Sequence, residues 1–179
     1  MLTVNKLLPA ARGLAPALVQ RAATVSLDWD TRSKSRFDAH DSAGRHLAVF
    51  LPRGTVPRGG DMLVAEDGSM IRVVAAPQTV LQVRACPAHG KAADLPRAAY
   101  HLGNRHVQLE VQADCLQFEP DPVLADMLRR MHLIVTEVLA PFEPEAGAYG
   151  EGGGHGHGHD HAHAHDDHHG QGHDHSHGH

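Results

Sequence analysis

Residues 79–139 read TVLQVRACPAHGKAADLPRAAYHLGNRHVQLEVQADCLQFEPDPVLADMLRRMHLIVTEVL. Two hydrophobic periods alternate along them. Thr79–Ala85 is rich in β-formers and reads as a strand. Asp94 can cap a helix with Pro96 in its first turn. Leu95, Ala98, Ala99 and Leu102 then follow at helical spacing, and Gly103-Asn104 can close the helix in a left-handed turn. Val107, Leu109 and Val111 alternate as a strand, and Ala113-Asp114 can turn the chain into Cys115–Phe118. Asp121 offers a second cap with Pro122 at the first helical position. Val123, Leu124, Met127, Leu128 and Met131 form an apolar stripe, with Asp126 and Arg130 one turn apart outside it. Leu133–Leu139 is the last strand. The order β-α-β-β-α-β predicts a ferredoxin-like unit, both helices on one face of a four-stranded antiparallel sheet. The methionines of the second helix read as core filling rather than metal ligands.

Upstream, short apolar runs are broken by turn signals. Met1–Leu7 reads as a strand and Pro9–Ala23 as a loop or short helix. Further strands are expected at Val25–Trp29, Arg36–Ala39, His46–Leu51, Met62–Ala65 and Ser69–Ala75. Asp41-Ser42-Ala43-Gly44, Gly59-Gly60-Asp61 and Asp67-Gly68 supply turns. The expected fold class is therefore α+β. Residues 1–76 form a small all-β domain, residues 77–142 the ferredoxin-like domain, and residues 143–179 a flexible linker followed by a disordered histidine-rich tail.

That tail, residues 155–179, reads HGHGHDHAHAHDDHHGQGHDHSHGH, and twelve of its residues are histidine. They are His155, His157, His159, His161, His163, His165, His168, His169, His173, His175, His177 and His179. Neutral imidazole is the commonest protein ligand for divalent transition metals and suits nickel, zinc and copper. The segment holds too little apolar surface to offset its own ordering entropy. With two to four rings per ion, its capacity is roughly three to six ions. Below about pH 6 the rings protonate and release metal.

All 16 Lys and Arg precede residue 151 and are matched there by as many Asp and Glu. The net charge of −5 therefore comes from Glu151, Asp160, Asp166, Asp167 and Asp174. A neutral body argues against nucleic-acid binding. Two cysteines, Cys86 and Cys115, outside any Cys-x-x-Cys pattern fit free thiols in a reducing cytoplasm. The N-terminus is a poor signal peptide and no stretch approaches a membrane span. There is no Gly-x-x-x-x-Gly-Lys-Ser/Thr loop, Gly-x-Ser-x-Gly elbow or His-Glu-x-x-His helix, so the chain does not read as an enzyme.

His101 and His106 remain. Five residues on an unbroken helix turn about 140°, so the two rings do not share a face. Both fit ordinary hydrogen-bonded histidines at a helix end. His106 alone is a weak ligand, but a two-fold axis bringing a second copy opposite it would make a good site.

The block Tyr100-His-Leu-Gly-Asn-Arg-His106 resembles the signature of the urease accessory nickel chaperones (UreE). The resemblance extends to Leu51-Pro-Arg-Gly54, Gly60-Asp61 and Glu66-Asp67-Gly68, and downstream to Val123-Leu-Ala-Asp-Met-Leu128. It implies a peptide-binding-like N-terminal β-domain and a ferredoxin-like domain that binds metal and forms a homodimer. It also implies delivery of Ni2+ to apo-urease together with the accessory GTPase of the activation complex. The family's interfacial ligand falls on His106, paired with His106 of a second chain, and tail histidines complete the site; His101 is expected to be structural. Some relatives carry His-x-His before the second helix; here Pro120-Asp121-Pro122 stands in that place. Cys86 lies near a cysteine of some relatives. Zn2+ and Cu2+ would also bind such ligands in vitro. The alternative is a cytoplasmic nickel or zinc store without specific delivery.

Overall fold

In a computed structural model, which describes residues 1–146, the chain builds two sheets. The first contains β1 (Leu2–Leu8), β2 (Ala23–Leu27), β3 (Arg36–His40), β4 (His46–Phe50), β5 (Met62–Ala65) and β6 (Met70–Ala75), in the order β2-β6-β5-β1-β4-β3. The β1–β4 and β2–β6 pairs are parallel and the rest antiparallel. The two ends of this sheet approach each other. Ser42 N donates to Thr24 O at 2.7 Å and Thr24 N to Ser42 Oγ at 2.9 Å, which ties β2 to the β3–β4 hairpin. The curled sheet is barrel-like and encloses Val4, Val25, Leu27, Leu47, Val49, Leu63, Ile71 and Val73. These residues alternate with more exposed ones along β2 and β6, as a sheet with one buried face requires.

Two short helices interrupt the strands: α1 (Pro16–Arg21) and α2 (Trp29–Arg32). The expected strand through Trp29 stops at Leu27, because Asp28 Oδ1 accepts the Thr31 amide at 2.9 Å and caps α2. The turn after β5 needs a left-handed residue, and Gly68 supplies it at φ +85°.

The second sheet holds β7 (Pro77–Arg84), β8 (Glu110–Val111), β9 (Leu116–Phe118) and β10 (Ile134–Pro141), all antiparallel in the order β10-β7-β9-β8. With α3 (Asp94–Gly103) and α4 (Pro122–Arg130) this is the ferredoxin-like order. Both helices pack on one face, where Leu81, Val83, Leu116 and Phe118 of the sheet meet Ala98, Leu102, Ala125 and Leu128. Leu102 and Leu128 are wholly buried, each contributing about 1.5–3 kcal/mol. Met127 and Met131 are half-buried against the same cluster.

Several local details differ from the sequence pattern. Asp94 lies inside the first turn of α3 rather than capping it, and its carboxylate accepts the Lys91 amide at 2.7 Å. Val107 is drawn into the helix end, so only Glu110–Val111 pair as a strand. Val123 projects into solvent, and Asp126 pairs with Arg129 at 3.0 Å rather than with Arg130.

The domains meet at a polar seam built round Arg32, whose side chain is wholly buried. It donates to Leu27 O, Pro57 O and Phe142 O at 3.2, 3.3 and 2.6 Å, and lies 3.1 Å from Glu143 Oε1. Burial pulls the guanidinium below its ordinary value and Glu143 opposes that pull. Glu143 also accepts the Gly59 amide at 2.8 Å and an Arg58 Nη1 hydrogen bond at 3.3 Å. Trp29 packs edge-on against Phe142, with Arg32 and Arg58 flanking its ring. Residues 143–146, which composition assigns to the linker, thus belong to the folded body: Glu145 N also donates to Leu109 O at 2.8 Å. No helix among the described residues is long and apolar enough to cross a membrane.

Candidate metal-binding site

His106 stands two residues beyond the end cap of α3. Leu102 O accepts from Arg105 N at 3.0 Å and from Val107 N at 3.2 Å, while Gly103 O accepts from His106 N at 2.9 Å. This is a Schellman closure, and His106 occupies its left-handed position at φ +57°. Sequence reasoning assigned that role to Gly103-Asn104. Instead Asn104 keeps a right-handed helical backbone, because the apolar anchor that must fold back on Leu102 is Val107. The consequence is chemical. The backbone turn carries the His106 ring into solvent, and it makes no side-chain hydrogen bond to any described residue.

His101 is placed differently. Half-buried, it lines a cavity of about 330 Å³ between α3 and α4 with Arg105, Met127, Arg130 and Met131, and His106 is not among the lining residues. Its ring also lies edge-on to Tyr100, with centroids 5.4 Å apart. The structure therefore does not bring His101 and His106 together in one chain.

Asp121 Oδ1 accepts the Val123 and Leu124 amides at 2.8 and 2.9 Å, so the Pro120-Asp121-Pro122 stretch is committed to starting α4. Among the described residues, no three His, Cys, Asp or Glu side chains are grouped so that they could hold a metal ion. The twelve candidate histidines of residues 155–179 lie outside the described residues.

Two features escaped the sequence reading. His132, at φ +62°, ends α4 as His106 ends α3: His132 N donates to Arg129 O at 2.9 Å and Leu133 N to Leu128 O at 3.2 Å. Cys86 Sγ lies 3.8 Å from His89 Nδ1. That hydrogen bond, helped by the Ala88 and His89 amides, pulls the Cys86 thiol below its ordinary value, whereas burial pushes Cys115 up. The signal was the Cys-x-x-His spacing, which places both ends on one tight turn.

Two family models match the chain: UreE urease accessory protein, N-terminal domain, over residues 4–76, and UreE urease accessory protein, C-terminal domain, over residues 78–179. The fold and the matches together define a urease accessory protein, not an enzyme. Over 151 residues the chain is 74% identical to the urease accessory protein UreE of Methylibium petroleiphilum, covering 84% of this chain and 70% of that one. It is 72% identical over 152 residues to the protein of that name from Paracidovorax citrulli, covering 85% and 72% respectively. The chain belongs to the UreE family. Its role is accessory to urease maturation.

Proposed function

We propose that the chain is a nickel metallochaperone that binds Ni2+ and donates it to apo-urease during active-site assembly. It works in the cytoplasm as a homodimer and docks on the activation complex with the accessory GTPase. The observation that carries this reading is the His106 ring: exposed, without a side-chain hydrogen bond to any described residue, and aimed by a fixed backbone turn. One ring is a weak ligand; two related by a dyad give two nitrogens on one ion, and tail histidines supply the rest. The twelve tail imidazoles capture Ni2+ in labile sites. The ion passes to the His106 pair by ligand exchange and leaves the same way on the urease complex.

Left-handed backbone makes alanine a poor probe here, since it strains the turn as well as removing the ring. His106→Gly keeps the closure and deletes only the imidazole. In nickel calorimetry of the full chain, this variant is expected to weaken the tightest site at least tenfold, about 1.4 kcal/mol. An unchanged tightest site would remove His106 from the mechanism. Deleting residues 151–179 is expected to lower the stoichiometry by several ions while the dimer persists. Capture of the accessory GTPase by the full chain separates delivery from simple storage.

A further inference from the structure

We propose that His40 and His46, with Asp38 behind them, form a surface site for one divalent first-row transition ion in the N-terminal domain, separate from His106 and the tail. In the antiparallel pairing of β3 with β4, His40 lies directly opposite His46. Directly opposed residues have Cβ atoms about 4.5–5.5 Å apart, close enough for two imidazoles to reach one ion. The ring centroids are 5.2 Å apart and tilted by 35°. With metal–nitrogen bonds of about 2.0–2.1 Å, two imidazoles on one ion at angles of about 90–110° have centroids roughly 4.5–5.3 Å apart. The observed separation falls inside that window, as two rings sharing one ion require.

The carboxylate completes the argument. Asp38 is two residues before His40 on the same face of β3, and its Oδ1 lies 3.0 Å from His46 Nε2. A carboxylate in that place favours the tautomer with the proton on Nε2, leaving His46 Nδ1 as the electron-pair donor. Metal-bound histidines commonly hand their other N–H to a carboxylate in this way. Asp38 is thus an orienting group, His46 Nδ1 and a ring nitrogen of His40 are the ligands, and water fills the remaining positions. This two-ligand arrangement is compatible with the lack of any three-ligand group among the described residues.

The hairpin is stiff. Asp41 Oδ1 accepts the Ala43 and Arg45 amides at 3.0 and 2.9 Å, and Asp41 Oδ2 pairs with the Arg45 guanidinium at 2.7 Å. Burial works against ionisation of Asp41, but these bonds outweigh it and hold the carboxyl below its ordinary value. These bonds hold the β3–β4 turn in one shape. β3 is the outer strand of its sheet, and the His40 ring makes no hydrogen bond to any described residue. It pays little to turn toward an ion.

The probe is Cu2+, which binds nitrogen ligands most tightly of the series and reports bound nitrogens by electron paramagnetic resonance. The protein is the full chain with His106→Gly and the twelve histidines of residues 155–179 changed to asparagine. This background makes the result independent of whether His106 handles nickel. One Cu2+ per chain with a two-imidazole spectrum is expected. His40→Thr or His46→Thr, both suited to strands, should each weaken binding at least tenfold, and Asp38→Ala should weaken it about tenfold. If the double variant His40→Thr, His46→Thr binds the same number of ions with the same spectrum, the proposal is overturned and the copper sits elsewhere, with Cys86 and His89 the first place to look.

Discussion

Arg32 is the last residue of α2 and His106 follows the end of α3, yet the fold treats them in opposite ways. Arg32 is buried to its tip and meets three carbonyls and a carboxylate. His106 is exposed and, among the described residues, is held only through its own backbone. A buried charge survives because each of its three nitrogens meets an acceptor, which commits those acceptors to structure. An imidazole carried into water by a backbone turn keeps both nitrogens in reserve. The seam makes one body of two domains, and the helix end makes a handle.

The largest test of this contrast is Glu143→Ala. It leaves the Arg32 guanidinium buried with carbonyls alone, and should cost about 2–4 kcal/mol, toward the low end because Glu143 is partly open to water. Urea denaturation measures it; a loss under about 0.5 kcal/mol would mean that the carbonyls suffice. Asp121→Ala lies between the extremes, since Asp121 is half-exposed yet spends its carboxylate on two amides. The expected loss is about 1 kcal/mol, with nickel binding unchanged. The smallest effect is at the two left-handed histidines. His132→Gly and His106→Gly should each raise stability by about 0.5–1 kcal/mol through relief of the positive φ. Only the second should alter metal affinity. If both did, the site would need both helix ends.

The alternation in residues 79–139 was enough to order the second sheet, because each of its helices buries one stripe and each strand one face. Asp121-Pro122 announced the start of α4 for a reason contained in two residues: an acceptor side chain and a fixed φ. The start of α3 was misread, since Asp94 is equally able to cap or to sit in the first turn. Its end was misread too. Gly103-Asn104 suits a left-handed turn, but the closing residue is chosen by where Val107 must land on Leu102. The His40–His46 pair was invisible for a similar reason. Six positions apart, across a turn of uncertain register, the two become neighbours only once the β3–β4 pairing is set.

Local chemistry in the chain itself settled the hydrophobic periods, the caps, the turn residues and the wealth of imidazole at the C-terminal end. Those depend on side chains within a few positions of one another, so the linear order contains them. The tertiary structure alone decided that Arg32 would be sealed by Glu143 more than a hundred residues away, that the first sheet would curl until Thr24 met Ser42, and that His101 would turn into a groove while His106 turned out. Burial and long-range pairing set those outcomes, and neither is a property of any short segment.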